Sequence, residues 1–309
     1  MMRMICLILS LFIVEVFASP GDNHYVYRSC LNHCKHINCS TPLGFSEQSI
    51  FQWSCPDECA YECMWQTVSH LQANNRSIVQ FHGKWPFKRV FGIQEPASTL
   101  FSILNLLSNY FFGYRKLRQT LRRGVHPLYS MWMSFCLISI NAWIWSTVFH
   151  ARDKPLTEIF DYIGAISLIF AQFICCIIRI AFRTPFQQIS YKISLFFFIF
   201  FLYHSYYLLF IKMDYGYNMT VNVLIGLLNV ICWLLWSVWK FSQGKIYVWK
   251  CALSVILTMS FVGLELLDFA PIAWTIDAHA LWHLATVILP FIWYKFVVDD
   301  SNYLLRYPN

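Results

Sequence analysis

Seven apolar runs separated by short charged hinges dominate this sequence, at approximately 98–114, 129–149, 158–180, 189–211, 219–239, 250–267 and 275–296. Each has roughly the 17–25 residues that a helix needs to cross a hydrocarbon core. Lipid offers the backbone no hydrogen-bond partners, so only a helix or a closed barrel can span it. The runs are too long for strands and lack two-residue alternation, which leaves helices. The pattern predicts an all-α polytopic membrane protein built as a seven-transmembrane helix bundle. Composition agrees, because only 13% of the 309 residues are charged against about 25% in a soluble domain. An ordinary cytosolic enzyme is thereby excluded. The formal net charge of +7 is not gathered on a polar face interleaved with aromatics, so membrane lipids and no nucleic acid are the expected partners. No feature of the sequence fixes an oligomeric state.

Residues 1–18 read as a signal peptide, with Arg3 before an apolar core from Ile5 to Phe17 and a small-residue cleavage site at Val16-Phe17-Ala18. Residues 19–97 then form a polar lumenal domain rich in cysteine, 98–297 the membrane domain and 298–309 a cytosolic tail. Six cysteines, Cys30, Cys34, Cys39, Cys55, Cys59 and Cys63, lie in the lumenal domain. Thiols in an oxidising compartment pair, so three disulfides are expected rather than a metal site drawing on His33 and His36. The pairing stays open among about fifteen possibilities. Sequons at Asn38, Asn75 and Asn218 are candidate glycosylation sites.

Orientation follows from lysine and arginine. With a lumenal amino terminus, the cytosolic hinges hold Arg115, Lys116, Arg118, Arg122, Arg123, Arg179, Arg183, Lys192, Lys240, Lys245, Lys250, Lys295 and Arg306. The opposite hinges hold only Arg152, Lys154 and Lys212. The asymmetry puts the carboxyl terminus in the cytosol.

Against this background a few polar residues stand out. Ser146 and His150 lie four apart at the end of the second run, hence on one helix face. Asp161 follows within the first turns of the third run. His279 and His283, again four apart, open the last run. All five fall near the lumenal boundary. Three histidines with one open position form the donor set of catalytic zinc, and such a metal lowers the pKa of a bound water to about 7. Asp161 could orient or deprotonate that water or complete the coordination, and Ser146 could donate to a developing oxyanion. Ionisable groups inside a membrane are costly, which favours a functional reading. Asp277 reads as a charge at a helix amino terminus, and His204 as an interhelical hydrogen bonder.

Ser-x3-His, an aspartate eleven residues after that histidine and a late His-x3-His resemble the CREST superfamily of seven-span hydrolases, which includes alkaline ceramidases and the adiponectin-receptor relatives. The signal peptide, the cysteine-rich domain, Gln94-Glu95-Pro96-Ala97-Ser98 before the first run and Asp277-Ala278-His279-Ala280-Leu281-Trp282-His283 resemble one branch more closely. That branch is the Per1-like family of GPI-specific phospholipase A2-like membrane proteins, and the resemblance covers essentially the whole chain after residue 18. It implies a CREST-type hydrolase domain over 98–297, with Zn2+ bound by His150, His279 and His283, and with Asp161 and Ser146 serving the water and the oxyanion. The implied activity is GPI-anchor lipid remodelling: removal of the sn-2 acyl chain from the phosphatidylinositol of GPI-anchored proteins, in the Golgi or endoplasmic reticulum. No acidic amino-terminal calcium motif of the ceramidase kind is present. Two alternatives remain open, an alkaline-ceramidase-like amide hydrolase and a non-enzymatic seven-span receptor or cargo-sorting factor.

Overall fold

The computed structural model describes residues 19–39, 51, 53–265 and 267–307. The expected signal peptide and Ser40 of the first sequon lie outside them.

The amino-terminal cap is a helical hairpin of α1 (Tyr25–Asn38) and α2 (Cys55–Ala73). Cysteines four residues apart share a helix face, and the antiparallel helices oppose them in reverse order. The pairs are therefore Cys30–Cys63, Cys34–Cys59 and Cys39–Cys55. The apolar core around them is small, with Tyr27, Val68 and Phe81 as its buried non-cysteine members, so cross-links carry much of the stability of this unit. A capping box starts α2: Ser54 N–H donates to Asp57 Oδ2 at 2.9 Å.

The rest is a bundle. α3 (Pro96–Ser108) continues through a π-helical stretch, Asn109–Arg115, into α4 (Lys116–Thr120). There follow α5 (Tyr129–Ala151), α6 (Pro155–Ala181), α7 (Gln187–Tyr206), α8 (Tyr215–Ser242) and α9 (Trp249–Glu265). The last rod is α10 (Ala278–Thr286) and α11 (Leu289–Arg306), which bends just before Pro290. Among the described residues six rods are long and apolar enough to cross a membrane, and the protein is a multi-pass membrane protein. The first apolar run is helical too, but its hydrogen-bond register changes midway. Gly113 lies at that change. A Cβ there would stand 2.6 Å from the Tyr294 ring and 2.8 Å from Cys136 Sγ, so the close approach needs glycine.

α3 packs between α5 and α10, α5 on α6, α6 on α7 and α8, α8 on α9, and α9 on α10 and α11, which closes a ring. α7 flanks the ring and exposes Leu195, Phe196, Phe198, Ile199, Leu202 and Tyr203. Apolar surface of that kind is stable only against lipid. At one end of the bundle, Trp132, Trp233, Trp293 and Phe296 form the core. Residues 298–306 continue α11, and Leu304 joins that core. Arg179 donates from Nε and Nη2 to the two oxygens of Asp300 at 2.6 Å each, and Tyr247 Oη–H adds a bond of 2.8 Å.

Asn218 is buried, and its Oδ1 serves His204 and the Asn222 amide at 3.1 Å each. An oligosaccharide on this side chain would have to displace that packing. Asn75 stands exposed at the end of α2. Glycosidase treatment should shift the mobility of wild type and Asn218→Gln alike, and the Asn75→Gln variant should lose that site's shift. Removing one partner of a buried ion pair costs about 3–5 kcal/mol. Asp300→Ala should therefore lower the thermal midpoint in detergent sharply, with Arg179→Met, Asp300→Leu recovering much of the loss.

Candidate metal centre

The site starts at the segment that enters α3. The N–H groups of Gln94 and Glu95 donate to the carbonyls of Ala151 and His150, each at 3.0 Å. Those carbonyls end α5 and have no partner within the helix. The segment thus caps α5, and in doing so lays the Glu95 carboxylate against the His150 ring.

His150 is 2% exposed, and its Nδ1 lies 2.7 Å from Glu95 Oε2. The other oxygen, Oε1, accepts from Lys84 Nζ at 2.6 Å, and Lys84 also pairs with Asp153 at 2.8 Å. Burial opposes a charge on Glu95, but Lys84 and His150 outweigh it and hold the carboxyl well below the usual carboxylate range. Lys84 is held above its ordinary value: burial works against the ammonium, and Glu95 and Asp153 overcome it. An ionised carboxylate can only accept. His150 therefore presents an Nδ1–H to Glu95, the tautomer in which the neutral ring has its lone pair on Nε2.

That Nε2 lies 3.3 Å from Nε2 of His279, which in turn lies 2.9 Å from Nε2 of His283. One ligand nitrogen from each of the three falls within 4.8 Å of the others. Nitrogens bound at about 2.0–2.1 Å to a common tetrahedral ion stand about 3.3 Å apart, so the set fits such an ion with little adjustment. The Glu95–His150 contact is the carboxylate–histidine pairing that orients imidazole ligands. The three histidines could hold a metal.

α10 is held in place from both sides. Asp277 caps it, with Oδ1 accepting from Ala280 N–H at 2.8 Å. α3 presents a buried polar stripe, Ser98, Ser102, Asn105 and Ser108 or Asn109. The Asn105 amide donates to the His283 carbonyl at 2.7 Å and Ser108 Oγ to the Val287 carbonyl at 2.8 Å. Ser102 Oγ lies 3.4 Å from His283 Nδ1 and 3.0 Å from Ser146 Oγ. Ser146 thus joins the cluster through Ser102. Asp161, on α6, lies within electrostatic reach of His150 and His279. Trp143 and Trp282 wall the centre, their rings 5.3 and 4.9 Å from the His283 ring. His204 bonds Asn218 between α7 and α8, away from these groups.

Glu95, Lys84 and Ser102 were not among the residues expected at the site. Ser102 left a signal, since serines and asparagines at positions 98, 102, 105 and 108–109 make one polar face on an otherwise apolar helix. Glu95 shows only as part of a family-like motif and Lys84 leaves no signal, because their roles come from docking of the cap.

A profile of the Per1-like family matches residues 46–301. A zebrafish (Danio rerio) protein named GPI-specific phospholipase A2-like PGAP3 is 42% identical over 94% of this chain and 92% of its own. The human (Homo sapiens) protein of that name is 40% identical over 93% and 91%. A Drosophila melanogaster protein named post-GPI attachment to proteins factor 3 is 38% identical over 95% and 92%. Replacing a partner that orients a metal-bound imidazole typically costs 10–100-fold in metal affinity. Glu95→Gln should weaken metal retention by about that factor, and His279→Ala, His283→Ala should abolish it, as read by elemental analysis of purified protein. Retention unchanged in both would rule out the centre.

Proposed function

The chain belongs to the Per1-like family, and from that premise we propose that it is a zinc-dependent acyl hydrolase of GPI-anchor remodelling. Its substrate is the sn-2 ester of the phosphatidylinositol that anchors GPI-linked proteins. The observation that carries this reading is the convergence of three imidazole nitrogens, one of them oriented by a buried carboxylate. The names borne by the relatives support the substrate class.

His150, His279 and His283 would hold the zinc, which when bound would supply Lewis acidity and acidify a water for use near neutral pH. Glu95 keeps His150 in the tautomer whose Nε2 lone pair faces the centre. Asp161 accepts the proton of the attacking water. The water oxygen bonds to the sn-2 carbonyl carbon, the bond from that carbon to the glycerol oxygen breaks, and the proton passes to the glycerol oxygen. A fatty acid and a lyso-lipid leave.

The serines act on the carbonyl oxygen. With His283 Nδ1–H donating to Ser102 Oγ, and Ser102 Oγ–H donating to Ser146 Oγ, the Ser146 hydroxyl proton is free to point at substrate. A donor placed where charge develops is worth about a hundredfold or more in turnover. The histidine end of the bundle faces the lumen, in the Golgi or endoplasmic reticulum, so the anchored protein and its ester meet the centre on one side. Residues 19–97 are then a lumenal cap on a CREST-type domain at 98–297.

In cells lacking the remodelling activity, wild type should restore the lyso-GPI intermediate and Asp161→Asn should not. Ser146→Ala should keep its metal and turn over roughly a hundredfold more slowly. Loss of metal in Ser146→Ala would contradict its assigned role, and release of sphingosine instead of lyso-GPI would contradict the substrate.

A further inference from the structure

The basic run that follows the first span forms a pocket at the end of the bundle away from the histidines. Tyr114, Arg118, Leu121, Arg122, Arg123, Tyr129 and Met133 line a cavity of about 550 Å³. The chain folds back over it in a turn: Val125 and His126 N–H both donate to the Arg122 carbonyl, at 3.2 and 3.1 Å. Gly124, at φ +80°, makes that turn possible. Arg118 donates to the Tyr114 hydroxyl at 3.0 Å, which steadies one guanidinium at the rim.

None of the three arginines forms an ion pair among the described residues. The described carboxylates at this end, Asp299 and Asp300, are taken by Lys250 and by Arg179. Three uncompensated guanidinium groups therefore converge on one cavity. A topology signal needs only positive charge in a loop; it needs neither a cavity nor a turn that gathers the charges.

The lining also states what kind of anion fits. Guanidinium forks match phosphate oxygens. A phosphodiester carries a single charge, whereas a phosphomonoester carries about −1.5 to −2 near neutral pH and balances three arginines better. The two tyrosine rings stand beside the arginines at the end of a membrane span, Leu121 and Met133 back the cavity from the core, and Val125, 62% exposed, tips the turn beside it. Tyrosines at such a position sit at headgroup level. Basic pockets between spans on this side suit lipid headgroups.

We propose that this pocket binds the phosphomonoester headgroup of an anionic phospholipid. The experiment uses the full-length protein in detergent micelles and a fluorescent dioctanoyl phosphatidylinositol 4-phosphate, read by anisotropy. The lipid should bind, and R118Q/R122Q/R123Q should weaken it at least tenfold. R115Q/K116Q, on the same helical run but outside the pocket, should bind like wild type, and R123Q alone should give a partial loss should the triple variant fail to fold. Equal binding of dioctanoyl phosphatidylserine, which has no phosphomonoester, would overturn the proposal. So would wild-type affinity in R118Q/R122Q/R123Q. Inorganic phosphate competing as well as the lipid would make the ligand a free anion and overturn the lipid assignment.

Discussion

Glu95 is the carboxylate on which the arrangement at the histidine end depends. It stands at the junction of three parts: the cap through Lys84, the first helix through its place just before Pro96, and the second helix through His150. Because its own N–H caps the α5 carboxyl terminus, the distance from backbone to ring is set before any ligand arrives. A buried charge is tolerable only when it is paired and hydrogen-bonded. Here the partners on its two oxygens lie on opposite sides of the cap–bundle interface. Docking the cap and orienting the His150 imidazole are therefore one event.

Other contacts bind the cap to the same region. Arg152, from the turn after His150, pairs with Asp57 of α2 at 2.7 Å and lies 3.7 Å from the centre of the Trp53 ring. Arg89 covers Trp53 at 3.3 Å and pairs with Glu58. On the far side, Lys88 N–H donates to the Trp274 carbonyl at 2.8 Å, and Trp65 meets the Trp274 ring edge-on. Trp274 lies only a few residues before His279. The cap thus grips the segment after the first histidine and the one before the other two, and the disulfide ladder keeps it stiff enough to hold both.

Much of this was legible in the sequence. Run length alone located the helical rods, since a span leaves no other use for twenty apolar residues. The four-residue spacing of His279 and His283 put both on one face, and the reversal after His150 brought a third imidazole to the same depth. What depended on tertiary docking was not legible. The cysteine order permitted many pairings, and the antiparallel hairpin selected one. Asn218 satisfies a sequon, yet packing against His204 buries it. Glu95 looked like part of a family motif rather than the partner of His150, because the lysine that charges it lies eleven residues away in a loop. The change to π register at Asn109–Arg115 has no local signal beyond Gly113, whose need appears only when Tyr294 packs on it.

The proposed activity requires a metal on the three histidines and an sn-2 ester as its substrate. The direct measurement is the fatty acid released from a diacyl GPI-anchored protein by the purified full-length chain, before chelation, after it and after zinc is returned. The sn-2 chain should be released, release should stop on chelation and it should return with zinc. Release that persists after the metal has been stripped, or no release from the zinc-loaded protein, would contradict the proposed activity.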